Sequence, residues 1–113
     1  MVLIKQTTMN TVPSKNSRRR VTKRFMEKIM AINSDVFCIY CEDKLVKMRK
    51  HRHRRNGLTI DHFVPVTKGG ANNAENLFPC CRRCNMQKGD MNPLTDIKFW
   101  VEFLPSKLNI YLV

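Results

Sequence analysis

In the first third of the chain, apolar residues recur with the period of an α-helix. Val21, Phe25 and Ile29 recur at a spacing of four, with Arg and Lys on the other face, and this pattern predicts an amphipathic helix over about residues 18–32. Residues 1–17 show no sustained period and contain no acidic residue. We therefore interpret residues 1–17 as a flexible basic tail.

The middle of the chain has the features of a β-hairpin. Asn56 and Gly57 both accept positive φ, which favours a two-residue turn, and residues 58–64 are interpreted as the returning strand. Residues 44–55, which carry seven Lys and Arg and no acidic residue, would form the first arm. The hydrophobic pattern therefore predicts a hairpin with a very basic arm.

Two helical segments are predicted after the strands. Residues 81–88 fit a helix closed by Gly89, and Asn92-Pro93 is a suitable N-cap and first-turn pair for another helix. The apolar face expected for that last helix consists of Leu94, Ile97, Trp100 and Val101, with Phe103 near its end. Strands in the middle with helices at both ends predict a small α+β fold, and residues 18–113 form one domain on this interpretation.

The charge balance indicates the class of partner. Of the 113 residues, 21 are Lys or Arg and 9 are Asp or Glu, so the formal net charge is +12. This excess favours a polyanion, with nucleic acid first and an anionic membrane surface second. No apolar run reaches the roughly 18 residues of a membrane span, and Lys5 to Thr8 interrupt any secretory signal, so we expect no membrane insertion and an intracellular location.

Four of the five cysteines fall into two Cys-x-x-Cys pairs, Cys38/Cys41 and Cys81/Cys84. Two such pairs supply the four thiolates of a tetrahedral structural Zn²⁺ site, whereas redox-active dithiols and inert buried cysteines are the alternatives. We favour zinc because neither pair lies in a thioredoxin-like βαβ pattern. Cys80 is the spare cysteine, and the long insertion between the pairs is expected to hold the function.

The motifs in the insertion resemble the HNH endonuclease family. They are Leu58-Thr59-Ile60-Asp61-His62-Phe63-Val64-Pro65, Gly69-Gly70, Asn76-Leu77, Cys81-Arg82-Arg83-Cys84-Asn85 and Lys88-Gly89. The resemblance covers about residues 36–89. It implies a zinc-stabilised ββα-metal fold, here with an added N-terminal and C-terminal helix, and a catalytic Mg²⁺ or Mn²⁺ separate from the zinc.

Carried over onto this sequence, the resemblance implies a role for each motif residue. His62 would be the general base, Asp61 and Asn85 would bind the catalytic divalent ion, and Asn76 would brace the base and its loop. Asn85 stands where many family members have His, so the sequence resembles an HNN-type variant. Lys88 would contact phosphate. Without the resemblance, an adjacent Asp-His pair is more often structural than catalytic.

The basic arm is expected to bind the DNA backbone. The residues proposed for this contact are Arg49, Lys50, Arg52, Arg54 and Arg55. Two function classes stay open: a metal-dependent endonuclease acting on double-stranded DNA, and a noncatalytic, zinc-stabilised nucleic-acid-binding module. A homodimer is one way in which such an enzyme would cut both strands.

Overall fold

The computed structural model describes residues 12–47 and 54–108, and shows a small α+β fold, as predicted. Its elements in chain order are helix α1 (Lys15–Met30), strand β1 (Leu58–His62), strand β2 (Leu77–Cys81), helix α2 (Arg82–Lys88), a π-helical turn (Phe99–Phe103) and helix α3 (Leu104–Leu108). Short 3-10 turns at Val66–Lys68 and Ala74–Asn76 lie between the strands.

The two strands and α2 form a ββα unit. β1 pairs with β2 in antiparallel fashion, with Leu58 opposite Cys81 and His62 opposite Leu77. Helix α2 follows β2 without a loop, and its cap residue Gly89 has a φ of 56°, which confirms the predicted end of this helix. The unit therefore brings the end of β1 and the face of α2 together.

The predicted hairpin partner of β1 is wrong. β1 pairs with residues 77–81, and Val46 makes only an isolated parallel bridge to Gly57. Among the described residues, positive φ occurs at Glu42, Gly69 and Gly89. Asn56 and Gly57 therefore do not have the positive φ that the turn of a tight hairpin requires. Pairing with β2 instead brings the second cysteine pair back toward the first.

Strand β2 was missed because Pro79 lies at its centre. Proline cannot donate a ladder hydrogen bond and is confined to edge strands. Both strands of a two-stranded sheet are edges, and the carbonyl of Pro79 accepts a hydrogen bond from the Ile39 amide at 3.1 Å. Pro79 therefore connects the strand to the first cysteine loop.

Helix α1 begins three residues before its predicted start. The side chain of Ser14 accepts a hydrogen bond from the Ser17 amide at 3.1 Å, which caps the helix, so residues 15–17 belong to α1 and not to the predicted tail. Met26 and Ile29 pack against the hydrophobic core. Only the second half of the helix is thus anchored by apolar contacts to the core.

The C-terminal segment buries a different face from the one predicted. Phe99 and Phe103 are buried, and both rings pack edge-on against Tyr40. The four residues predicted for the apolar face are each more than half exposed: Leu94, Ile97, Trp100 and Val101. Residues 93–95 form a turn before the helical segment, which shifts the inward positions onto the two phenylalanines.

Much of the predicted basic arm and most of the predicted tail lie outside the described residues. The described part includes no helix that is long and apolar enough to cross a membrane.

Candidate functional site

The four cysteines of the two Cys-x-x-Cys pairs meet at one point. The sulfur atoms of Cys38, Cys41, Cys81 and Cys84 all lie within 4.8 Å of one another, and those of Cys41 and Cys81 are 3.8 Å apart. A tetrahedral zinc ion with Zn–S bonds of about 2.3 Å holds its sulfurs about 3.8 Å apart. The spacing therefore fits a structural zinc ion, as predicted from the sequence.

Backbone amides orient these sulfurs. The amides of Tyr40 and Cys41 donate to Sγ of Cys38 at 3.4 and 3.5 Å, and the amide of Cys84 donates to Sγ of Cys81 at 3.3 Å. The first loop closes through Glu42, whose φ is 67°. The same short N–H···S contacts would stabilise thiolates bound to a cation.

The electrostatics of the cluster also fit a bound cation. Burial raises the pKa of the Cys84 thiol, and the neighbouring cysteines raise it further, so a thiolate here needs positive charge beside it.

Nε of Arg83 is buried and has no hydrogen-bond partner within the described ranges. Cys80 is buried against Thr59 and is not part of the four-sulfur group.

A second, polar site lies at the end of β1. Asp61 and His62 on β1 and Asn85 on α2 line the same cleft, whose volume is about 350 Å³. Packing of α2 against β1 brings Asn85 to the two strand residues, although 23 positions separate Asn85 from His62 in the sequence. The structure thus brings together three of the four motif residues to which the resemblance gives a role in catalysis, and Asn76 is not among those that line the cleft.

Asp61 is buried and already engaged by two donors. Its Oδ2 accepts hydrogen bonds from the hydroxyl of Tyr40 and from Nζ of Lys88, which lies 3.0 Å away. Burial raises the pKa of the Asp61 carboxyl, while the Lys88 ammonium and the Tyr40 hydroxyl act in the opposite direction. Oδ1 has no donor among the described residues and is the oxygen left for a cation.

Lys88 does not have the predicted environment of a phosphate contact. Its side chain has no exposed area, and Nζ contacts Asp61 and, at 3.2 Å, the carbonyl of His62. A buried ammonium that neutralises a buried carboxylate satisfies the requirement that buried charges be paired. Lys88 therefore holds Asp61 and the backbone of His62 in place.

The side chain of Asn85 is oriented by the neighbouring strand. Its Nδ2 donates to Oγ1 of Thr59 at 3.1 Å and lies 3.5 Å from the carbonyl of Ile60. With both donors directed at β1, the amide oxygen is free of donors from residues 12–47 and 54–108. An amide oxygen and a carboxylate oxygen are ligands suited to Mg²⁺ or Mn²⁺, so the residues present fit such an ion.

The imidazole of His62 is held by Asn72, a residue that the sequence analysis missed. Nε2 of His62 lies 3.0 Å from Oδ1 of Asn72, whose Nδ2 lies 3.4 Å from Oγ of Ser17. In this arrangement Nε2–H donates to Asn72, and Nδ1 is the ring nitrogen able to accept a proton. The only available sequence signal was the position of Asn72 two residues after the Gly69-Gly70 turn.

Asn76 braces the loop but does not touch the imidazole. It is fully buried; its Oδ1 accepts from the Val64 amide at 2.9 Å, and its Nδ2 donates to the carbonyls of Val64 and Ala71 at 2.8 and 2.9 Å. A Cβ added to Gly70 would lie 1.8 Å from the Val64 carbonyl oxygen. This close packing fixes the loop that carries Asn72.

The predicted DNA-contact residues are only partly described. Arg54 and Arg55 are exposed and lie outside the lining of the cleft, and Arg49, Lys50 and Arg52 fall outside the described residues.

The comparison with known families matches the same part of the chain. The family model HNH endonuclease matches residues 38–91, which include both cysteine pairs, both strands and α2, and exclude α1 and the C-terminal helical segment. No curated protein matches the chain.

Proposed function

We propose, from the match of residues 38–91 to the family model HNH endonuclease, that the protein is a metal-dependent endonuclease acting on double-stranded DNA. The observation that carries this proposal is the shared cleft of Asp61, His62 and Asn85. Two of these side chains offer oxygen ligands and the third offers a base, and a binding module has no need to combine them. The four cysteines, whose sulfur atoms lie within 4.8 Å of one another, would hold a structural Zn²⁺.

Each side chain has a defined role in hydrolysis. Water attacks the phosphorus atom in line, the bond to the 3′ oxygen breaks, and negative charge accumulates on the phosphoryl oxygens. Nδ1 of His62 takes the proton of the attacking water, with Asn72 holding the ring by its other nitrogen. Asp61 and Asn85 would hold Mg²⁺ or Mn²⁺, which supplies charge stabilisation to the phosphate and the leaving oxygen.

Lys88, Tyr40 and Asn76 keep this arrangement rigid. Lys88 and Tyr40 fix one oxygen of Asp61, which leaves the other to face a ligand. Asn76 fixes the loop that follows His62. Groups that are preorganised in this way need no rearrangement when charge develops.

One observation favours the second candidate, a noncatalytic zinc-stabilised nucleic-acid-binding module. Oδ2 of Asp61 is bound by two protein donors, so the Asp61-His62 pair also has a structural explanation. The two candidates share the zinc site, the positive charge and a nucleic-acid partner. They differ only in whether strands are cut.

Supercoiled plasmid distinguishes the two functions. The zinc-loaded protein is incubated with plasmid and Mg²⁺, Mn²⁺ or no added divalent ion, and nicked and linear products are separated by electrophoresis. We expect cleavage that requires the added ion. Binding without cleavage in either ion contradicts the nuclease and supports the module. Mapped ends of the products show whether one strand is cut or both, as a homodimer or successive nicking would produce.

A further inference from the structure

One face of α1 is directed toward the molecule, and its character changes along the helix. The residues at positions i, i+3, i+4, i+7, i+11 and i+14 are Lys15, Arg18, Arg19, Thr22, Met26 and Ile29. Met26 and Ile29 pack against the core, whereas the first four line the cleft that contains Asp61, His62 and Asn85. This stripe is therefore apolar over the core and cationic beside the cleft, where Arg18 is half-buried and Lys15 and Arg19 are exposed.

The cations that line the cleft have no acidic partner in the described part of the chain. In residues 12–47 and 54–108, no ion pair involves Lys15, Arg18 or Arg19, while Asp61 is paired with Lys88. Asp90, the other acidic residue that lines the cleft, faces Lys68 at 3.9 Å. Arg18 is half-buried beside the cleft, and Lys15 and Arg19 border the same opening, so this wall of the cleft favours an anionic ligand.

The helix is also linked to the imidazole. Oγ of Ser17, on the first turn of α1, lies 3.4 Å from Nδ2 of Asn72, whose amide oxygen binds His62. This contact places the first turn of α1 beside the loop that carries Asn72. Any phosphate bound by α1 in the cleft lies beside the residues assigned to cleavage.

We propose that the N-terminal half of α1 forms the phosphate-binding wall of the cleft, with Arg18 and Arg19 contacting backbone phosphates of DNA. This part of the chain lies outside residues 38–91, which the family model matches. The inference rests on the proposed function in taking DNA as the ligand. Both guanidiniums can bind phosphate oxygens in bidentate fashion, and such contacts determine where the strand lies without reading its sequence.

Two other arginines of helix α1 provide a matched control for this proposal. Arg20 and Arg24 lie on the same helix and are exposed, as Arg19 is, but they do not line the cleft. Replacing Arg18 and Arg19 by Gln, or Arg20 and Arg24 by Gln, changes the net charge by the same amount. If only the overall charge of the helix attracts DNA, both double variants should lose the same amount of affinity. If phosphates bind in the cleft, replacing Arg18 and Arg19 should reduce the affinity more.

The test measures binding of a short DNA duplex by the zinc-loaded full chain without added divalent ion, over a series of salt concentrations. Thermal melts verify that each variant is folded. We expect R18Q/R19Q to reduce the slope of log affinity against log salt by about 1.8, at about 0.9 for each phosphate contact. R20Q/R24Q should change this slope by less than half as much.

Equal changes in the two double variants would overturn the inference, as would an unchanged slope in R18Q/R19Q. Plasmid cleavage by the same proteins is measured separately, and we expect a larger loss of kcat/KM in R18Q/R19Q than in R20Q/R24Q. If the parent binds DNA but does not cut it, the nuclease proposal fails, and the binding comparison still decides whether α1 forms the phosphate site.

Discussion

The amide oxygen of Asn72 lies 3.0 Å from Nε2 of His62. This contact fixes which nitrogen of the imidazole carries the hydrogen and which one is left to accept a proton. Asn72 lies in the loop that Asn76 braces, so the buried asparagine acts on the histidine through the loop and not by direct contact.

Asn72→Ala should slow DNA cleavage. Replacing a residue that hydrogen-bonds a metal-ligating histidine typically reduces metal affinity or activity by about 10–100-fold. We expect a decrease in kcat of the same order when Asn72 no longer orients His62. KM should change little, because Asn72 is not one of the cationic residues assigned to phosphate. Single-turnover and steady-state cleavage of plasmid separate the two effects.

Asn73→Ala is the matched control. The side chain of Asn73 is exposed and caps the neighbouring 3-10 turn through the Glu75 amide at 3.1 Å, without contacting His62. An equal loss of kcat in Asn73→Ala and Asn72→Ala would show that loop folding, and not orientation of the imidazole, causes the effect.

Lys88→Met should destabilise the fold. The change leaves the buried Asp61 carboxylate without its counter-ion, and breaking a buried ion pair in this way typically costs about 3–5 kcal/mol. The free energy of unfolding is measured by urea denaturation with zinc present. Lys68→Met, which removes exposed pairs with Asp90 and Asp96, should cost no more than about 1 kcal/mol.

The loss in Lys88→Met should depend on pH. Burial raises the pKa of Asp61, and removing the ammonium that opposes this effect should raise it further. A carboxyl whose folded pKa exceeds its unfolded value destabilises the protein at high pH and ceases to do so once it is protonated. The difference from the parent should therefore shrink as the pH is lowered from alkaline to mildly acidic; a constant difference contradicts this explanation.

Metal removal should unfold the protein. Structural zinc contributes about 10–16 kcal/mol in small zinc domains at neutral pH, and Cys38→Ser should lose both the ion and the cooperative melt. Cys80→Ala, which lies outside the four-sulfur group, should keep about one zinc per chain. Zinc content and circular dichroism measure both outcomes. A melt unchanged after verified loss of metal rules out a structural role.

The four-cysteine group and the presence of Asp61, His62 and Asn85 in one cleft could be predicted from the sequence, because short spacings and adjacent motif residues indicate them. Cys38 and Cys41 need only a tight loop to share an ion. Asp61 and His62 are neighbours on one strand, and family resemblance added Asn85. The pairing of β1 could not be predicted in the same way, because a strong local turn signal at Asn56-Gly57 competed with the long-range closure of the metal site.

Contacts between distant segments were also beyond the sequence. Helical period alone did not show that α1 carries its cations toward the cleft, or that Lys88 is buried. The inward face of the C-terminal segment was mistaken because Phe99 and Phe103 pack against Tyr40, which lies in the first cysteine loop. In each case the tertiary partner, and not the local pattern, decided which side chain faces inward.

The most direct test of the catalytic assignment compares His62→Ala with the parent under single-turnover conditions in Mg²⁺ or Mn²⁺. We predict that the variant keeps its zinc and its affinity for duplex DNA but cleaves about 10²–10⁴-fold more slowly, the usual contribution of a general base. Cleavage by His62→Ala at the parental rate would contradict the account.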